Sequence, residues 1–303
     1  MVTVPQSSGD LIADRRLEWA RAAQASGDLV ASAELLAQTV ELTPGYAAAW
    51  FILGEVREAL GDSDGARDAF EQARTVDPHD RLGATLQLAR LYAGTANIPP
   101  GYVRAVFDAY ARGFDVALVE GLGYRAPELL RDAVAASGVA KKFGSVLDLG
   151  CGTGLTGAAF RPYCDWLAGV DLSPGMIAQA RGKCLYDRLV EADVTEFLTG
   201  EVGANYHLVL AGDVFVYMVK LDAVLFAAAR AMAPGGLLAF TVETHTGQGA
   251  LLRETLRYAH GEAYVREALT ASGFAVLSLD AVATRTEKGE PVPSLVVVAK
   301  LMD

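Results

Sequence analysis

The sequence is poor in cysteine, histidine and cationic charge, and its apolar runs are all interrupted. Of 303 residues, three are cysteine (Cys151, Cys164, Cys184) and four are histidine. An odd cysteine number excludes a complete disulfide framework. The spacing is not that of a metal site, and one cysteine lies inside a glycine loop, so reduced thiols in a cytoplasmic protein, with no bound metal, are expected. Lys and Arg total 26 against 37 Asp and Glu, a net charge of −11. Such a surface repels phosphate backbones and anionic lipid, and no Lys/Arg cluster offsets it, which argues against nucleic acid or a membrane face as partner. The most apolar stretch, Val214 to Phe240, is broken by Lys220, Asp222, Arg230 and Pro234, so it cannot be a spanning helix. The opening MVTVPQSSGD has no basic segment leading into an apolar one, and no signal peptide is expected.

What is present is the composition of a folded chain. Hydrophobic residues make up 52% and charged residues 21%, enough for about two domains with real cores. Residues 1–12 read as a flexible leader. A repeat follows: Gly27-Asp28 and Gly61-Asp62 are offset by 34 residues, as are Pro44 and Pro78. That is the period of the tetratricopeptide repeat, a helix–turn–helix unit. The second copy carries Trp50, Leu53-Gly54, Gly61, Ala66, Phe70, Ala73 and Pro78, whereas the first has Trp19-Ala20 in place of Leu-Gly, then Ser32 and Leu36. Two repeats are fewer than the roughly three that usually stand alone, so Leu82–Tyr92 is expected to add a helix. The helical domain is placed at 13–95. Paired prolines in Ala93–Gly101 stop it, and 96–144 is expected to be a linker with lid helices. There Phe107, Tyr110 and Phe114 share one helix face; a core stripe and a lid over a ligand are both open readings.

From Ser145 onward, apolar runs at Ser145–Leu149, Leu167–Asp171, Arg188–Ala192, Leu208–Ala211 and Leu237–Val242 alternate with helical stretches. The pattern implies a parallel sheet covered on both faces. Two more strands, Ala275–Ala281 and Ser294–Lys300, flank the charged, proline-containing loop TRTEKGEPVP, so the last strand is expected to be antiparallel. The fold class is therefore α/β, a Rossmann-like, mostly parallel sheet over 145–303 preceded by a small all-α repeat domain.

The segment with chemical content runs from Val146 to Leu155, VLDLGCGTGL. A hydrophobic strand ends in Asp148, then Gly150, Gly152 and Gly154 form a G-x-G-x-G turn before a helix. The third glycine comes one residue too early for the dinucleotide fingerprint. Asp148 would repel a diphosphate and attract a cationic amino-acid tail, and no P-loop lysine follows. Asp171 ends the second strand 21 residues past Gly150, where a carboxylate can accept two ribose hydroxyls. Asp193 ends the third strand and can accept from an adenine amino group, while the backbone of Val194 donates to the ring. Asp213 and Val214 end the fourth strand, beside the reacting end of such a ligand.

VLDLGCGTGL, GVDLSPGMIAQAR, EADVTEFL, YHLVLAGDVFVY and APGG resemble the class I S-adenosylmethionine-dependent methyltransferases, over roughly Tyr102 to Lys300. The joined architecture resembles bacterial methyltransferases with an N-terminal tetratricopeptide segment. The resemblance implies S-adenosylmethionine as cofactor. By matched position it implies that Asp148, Gly150, Gly152 and Gly154, with Cys151 as a small filler, form the methionine-side loop. Asp171, with Leu172 after it, and Met176 then hold the ribose and flank the adenine; Asp193 and Val194 grip the adenine edge, and Asp213 and Val214 border the sulfonium. Tyr110 and Tyr124 are candidates to reach the cofactor or acceptor, with core packing as the other reading.

The acceptor is not fixed by the resemblance. An Asn-Pro-Pro-Tyr-type loop is absent after the fourth strand, where the sequence reads Gly212-Asp213-Val214-Phe215. Methyl transfer is mainly alignment, and a base is needed only if the acceptor keeps its proton. His245, Glu243 and His260 are the candidate catalytic groups, against inert-loop or capping roles. The leading expectation is O- or N-methylation of a small molecule. The alternatives are a protein methyltransferase whose repeats recruit a peptide or protein partner, a non-catalytic scaffold with a vestigial cofactor fold, and a nicotinamide-dependent dehydrogenase.

Overall fold

The structure is a computed structural model that describes residues 7–92 and 94–302. It divides into two compact units, Met1–Val106 and Phe107–Asp303. Of the expected leader, Met1–Gln6 lies outside the described residues. Its remainder is ordered, because the Asp10 carboxylate caps the first helix through Ile12 and Ala13 N–H, and Ser7 and Ser8 bond Asp14.

The N-terminal unit is helical. Helices α1 (Leu11–Ala25) and α2 (Leu29–Leu42) form one helix–turn–helix pair, and α3 (Ala47–Ala59) and α4 (Ser63–Val76) form the next. The 34-residue offset has a local cause. Gly27 and Gly61 turn the chain with φ of +84° and +83°, and Asp28 and Asp62 then cap α2 and α4 through the N–H three residues on. Within the second pair Gly54 faces Phe70 so closely that a Cβ there would lie 2.6 Å from the ring. Helix α5 (Ala84–Leu91) extends the stack, adding Ala84 and Leu88 to the cluster around Phe70. The unit continues past the proline break into α6 (Pro100–Tyr110): the Tyr102 ring closes on Gly83, and Gly101 packs on the His79 carbonyl. Tyr102 therefore belongs with the helices rather than with the domain that the sequence motifs mark.

The C-terminal unit is built on a sheet of order β3-β2-β1-β4-β5, all parallel. These strands are β1 (Phe143–Leu149), β2 (Cys164–Asp171), β3 (Arg188–Glu191), β4 (Tyr206–Ala211) and β5 (Met232–His245). Strand β9 (Glu290–Leu301) runs antiparallel on β5, and β8 (Phe274–Glu287) pairs with β9. Alternation sorts the core: Leu147, Leu149, Val209, Leu238 and Phe240 face one layer, and Val146, Leu208, Leu210, Leu237 and Ala239 the other. Helices α10 (Val194–Gly200), α11 (Asp222–Ala231) and α12 (Glu262–Ala271) cover the first face, and α7 (Ala126–Ala136) and α8 (Leu155–Phe160) the second. Burying each leucine contributes roughly 1.5–3 kcal/mol. Two details depart from the sequence reading. The segment expected as a loop between the last strands continues as strand up to Glu287. Residues before α12 form a small antiparallel pair, β6 (Ala250–Leu252) with β7 (Tyr258–Gly261), and β7 extends the edge of β5. Among the described residues no helix is long and apolar enough to cross a membrane.

Candidate cofactor and acceptor site

The glycine turn follows the C-terminal end of β1, and the ends of β2, through Asp171, and of β4, through Val214, reach it, while β3 ends against Asp171. Gly150, Gly152 and Gly154 all take left-handed φ, +56°, +54° and +95°, which a side chain adopts only at a cost. Their surroundings differ. A Cβ on Gly150 would strike Val214 at 2.4 Å, and one on Gly154 would meet Tyr186, whereas Gly152 faces open space. The turn is thus packed on two sides and bare on the third, where a ligand can approach the backbone.

Asp171 ties β2 to that turn. Its Oδ2 accepts the Gly152 N–H and its Oδ1 the Ser173 N–H, both at 2.8 Å. Burial pushes its carboxyl up, against the pull of those bonds. Each carboxylate oxygen offers two lone-pair sites, and with the Leu172 N–H also bearing on the carboxylate acceptor capacity remains for a hydroxyl. Leu172 is half-buried and Met176 fully buried at the start of α9 (Pro174–Gly182). Asp193 uses one oxygen to cap α10 through Thr195 and Glu196 N–H, and Val194 is buried beside it.

Asp148 lies differently from the sequence reading. It is buried beneath the turn, and its Oδ2 accepts the Tyr186 hydroxyl at 2.7 Å. Burial raises its pKa to about 7, against the pull of the Tyr186 bond. With 1% exposure it supports the turn from below rather than meeting a cationic tail directly. Cys151 is buried against Gly169, and burial drives its thiol well up, so it packs as a small apolar group.

Asp213 takes a left-handed φ of +57° without being glycine, a conformation that costs on the order of 1–2 kcal/mol. Thr241 holds it there, accepting the Asp213 N–H at 2.8 Å and donating to Oδ1 at 2.9 Å. Arg285 donates to Asp213 Oδ2 at 2.5 Å and also to Glu243. Tyr124 is buried within reach of this group, and burial raises its pKa well above the ordinary value. Tyr110 is exposed at the end of α6.

Each of the three candidate bases makes a contact within the protein, and the buried Nδ1 of His260 alone among their nitrogen and oxygen atoms has no partner among the described residues. Glu243 is 1% exposed and is the common partner of Arg285, Arg253 at 3.4 Å and Arg257 at 3.5 Å, so its oxygens are taken up by three guanidiniums. His245 accepts the Gly247 N–H at Nδ1 and donates from Nε2 to the Gly249 carbonyl, closing its own loop. His260 does not cap α12. It sits in β7, fully buried, with Nε2 donating to the Met218 carbonyl at 2.9 Å, and burial lowers its pKa to about 4.

Within the segment 96–144, where lid helices are expected from the sequence, sequence reasoning missed two acids. Asp108 accepts the Ser173 hydroxyl and the Gly175 N–H, while Asp115 accepts the Thr153 hydroxyl and pairs with Lys183 at 2.6 Å. One carboxylate holds the β2–α9 turn and the other the glycine turn. Between them Phe107 meets Phe114 and Tyr217 edge to face, at 5.9 and 5.5 Å. A single π-helical turn at Val116–Glu120 follows, a feature frequent at functional sites.

Residues 147–238 match the family described as a methyltransferase domain. The chain is 33% identical over 143 residues to Methyltransferase-like protein 27 of Homo sapiens, a match spanning 46% of this chain and 57% of that protein. It is 49% identical over 47 residues to a TPR repeat-containing protein of Pseudomonas aeruginosa, spanning 16% of this chain and 45% of that protein. The chain thus spans about half the length of each of these relatives. A Burkholderia thailandensis 1,6-didemethyltoxoflavin-N1-methyltransferase, crystallised with S-adenosylhomocysteine, superposes with a TM-score of 0.55 at 20% identity, over 69% of this chain and 93% of that one.

Proposed function

We propose that this chain, which carries a class I S-adenosylmethionine-dependent methyltransferase domain behind an N-terminal helical region, methylates a small molecule on oxygen or nitrogen. The observation that carries the reading is the glycine turn, bare at Gly152 and anchored by the Asp171 carboxylate. The residues present fit the cofactor. Asp171, bonded to Gly152, would receive the ribose, Asp193 and the Val194 backbone would hold the adenine edge, and Val214, packed on Gly150, would border the methionine side. Bound there, S-adenosylmethionine supplies a methyl carbon activated by its sulfonium. The chain's own part is to orient and to exclude water: Asp108 and Asp115 hold both turns, and Phe107 and Tyr217 wall the acceptor side.

Glu243 and His245 are held by neighbours and the unpartnered Nδ1 of His260 is fully buried, which supports an acceptor nucleophile that arrives already able to attack. Incubating the protein with methyl-labelled S-adenosylmethionine and a metabolite extract should yield a labelled low-mass product. Label found only in protein would favour a second reading, in which the two-repeat helical unit recruits a protein acceptor, a reading supported by the stacked pairs α1–α2 and α3–α4. Three free thiols suit a reducing, cytoplasmic setting.

A further inference from the structure

Beside Asp213 lies a group of charges that methyl transfer in general does not require. Three guanidiniums, Arg253, Arg257 and Arg285, surround two buried or half-buried carboxylates, Glu243 and Asp213. Glu287, on the solvent side, reaches Arg257 only at 4.0 Å. Two of the arginines are committed. Arg285 is 3% exposed and donates to both Asp213 and Glu243. Arg253 donates to the Thr244 carbonyl at 2.7 Å and turns its buried Nε toward Glu243.

Arg257 is held more loosely. Its contacts, 3.5 Å to Glu243 and 4.0 Å to Glu287, are longer than a good charged hydrogen bond of roughly 2.7–2.9 Å. Its side chain retains 25% exposure. Tyr217 lies near enough to feel the charges of Arg257 and Arg285, and Phe107 stands edge-on to the Tyr217 ring. A partly exposed planar fork of donors thus lies near an aromatic pair, in a chain whose net charge is −11.

We infer that the acceptor carries a carboxylate, and that Arg257 holds that carboxylate while Tyr217 and Phe107 pack its planar body. The inference rests on the proposed methyltransferase reading and names the acceptor class for it. With Glu287 counted, three guanidiniums face three carboxylates, so a monoanion enters by taking the place of the loose 4.0 Å contact between Arg257 and Glu287. A phosphate dianion would overfill that place next to Glu243 and Asp213. The carboxylate is a handle: its binding positions the nucleophile elsewhere on the molecule, and Arg257 takes no part in the bond changes. The nucleophile's lone pair forms the new bond to the methyl carbon as the carbon–sulfur bond breaks. The electron pair leaves with sulfur as S-adenosylhomocysteine, and any proton departs to water from the methylated acceptor.

The test is a matched set of probes on the full chain loaded with S-adenosylhomocysteine: benzoate against benzamide, 4-hydroxybenzoate against 4-hydroxybenzamide, and indole-3-acetate against its amide, with phenyl phosphate added. Dissociation constants are read by ligand-observed NMR and competition. The acids should bind about tenfold or more tighter than their amides and tighter than phenyl phosphate. Arg257→Leu should abolish the acid preference, Arg257→Lys should restore part of it, and Arg266→Leu, on an exposed helix, should leave it unchanged. The affinity for S-adenosylhomocysteine, measured by calorimetry, should survive in all three variants and doubles as a check on folding. Acids that bind no better than amides, a preference that survives Arg257→Leu, or phenyl phosphate as the strongest probe would each overturn the inference. Failure of S-adenosylhomocysteine itself to bind the unaltered chain would instead remove the methyltransferase reading beneath it.

Discussion

The Asp171 carboxylate accepts the backbone N–H of Gly152 at 2.8 Å, so the end of one strand fixes the bare point of the glycine turn at the end of its neighbour. Asp171→Ala removes the group placed to receive a ribose and also leaves that N–H without its partner. Calorimetry should show S-adenosylhomocysteine affinity falling by at least about tenfold, and urea unfolding a loss of about 1–3 kcal/mol. Full affinity in the variant would take the ribose role from Asp171.

Asp148 sets a pH dependence. Its folded pKa is raised to about 7 from 3.8, so folding favours its protonated form. The associated stability is fully present below pH 4 and is lost as pH rises through 7, because the unfolded chain releases a proton that the folded chain retains. Asp148→Asn should flatten this component, so that the variant gains on the parent chain between pH 4 and 7. Equal slopes for the two proteins in urea titrations over that window would contradict the burial argument.

Much of the fold can be read from the sequence because its signals are local. The 34-residue offset is two glycine turns and two aspartate caps, and the parallel strands are apolar runs ending in acidic residues. The turn at Gly150–Gly154 is equally visible, since only glycine suits all three left-handed positions. What escaped reading depends on contacts remote in sequence. Arg285 lies in a charged, proline-flanked stretch that resembles a loop, yet it is strand with its guanidinium turned in to Asp213 and Glu243. Strand β7 has four residues, too few to show a period. Asp108 and Asp115 are solitary acids whose partners lie 65 to 68 residues away in three of their bonds.

Arg285 binds two carboxylates from within the protein. Arg285→Met would leave Asp213, already in a left-handed conformation, without its cationic partner and Glu243 with only the longer contacts to Arg253 and Arg257. Breaking such a buried group typically costs about 3–5 kcal/mol. Thermal and urea unfolding should show a loss of that order, partly recovered in the double variant Arg285→Met, Glu243→Gln. A neutral single substitution would contradict the assigned pairing.

The segment over the turns is held largely by polar contacts: among 107–120 only Ala111 is buried. Asp115→Ala removes the bonds to Thr153 and Lys183. Amide exchange over 107–120 should accelerate, and S-adenosylhomocysteine should bind several-fold more weakly, with little change in global stability. Unaltered exchange would show that the segment is held by other contacts.

We propose that the turn at Gly150–Gly154, bare at Gly152 and anchored by Asp171, takes an amino-acid tail and a nucleoside rather than a diphosphate. The decisive experiment is titration calorimetry of the full chain with S-adenosylhomocysteine and, separately, with the oxidised nicotinamide dinucleotide. One-to-one, saturable heat is expected with the first and none with the second; heat with the dinucleotide alone would assign the turn to a diphosphate instead.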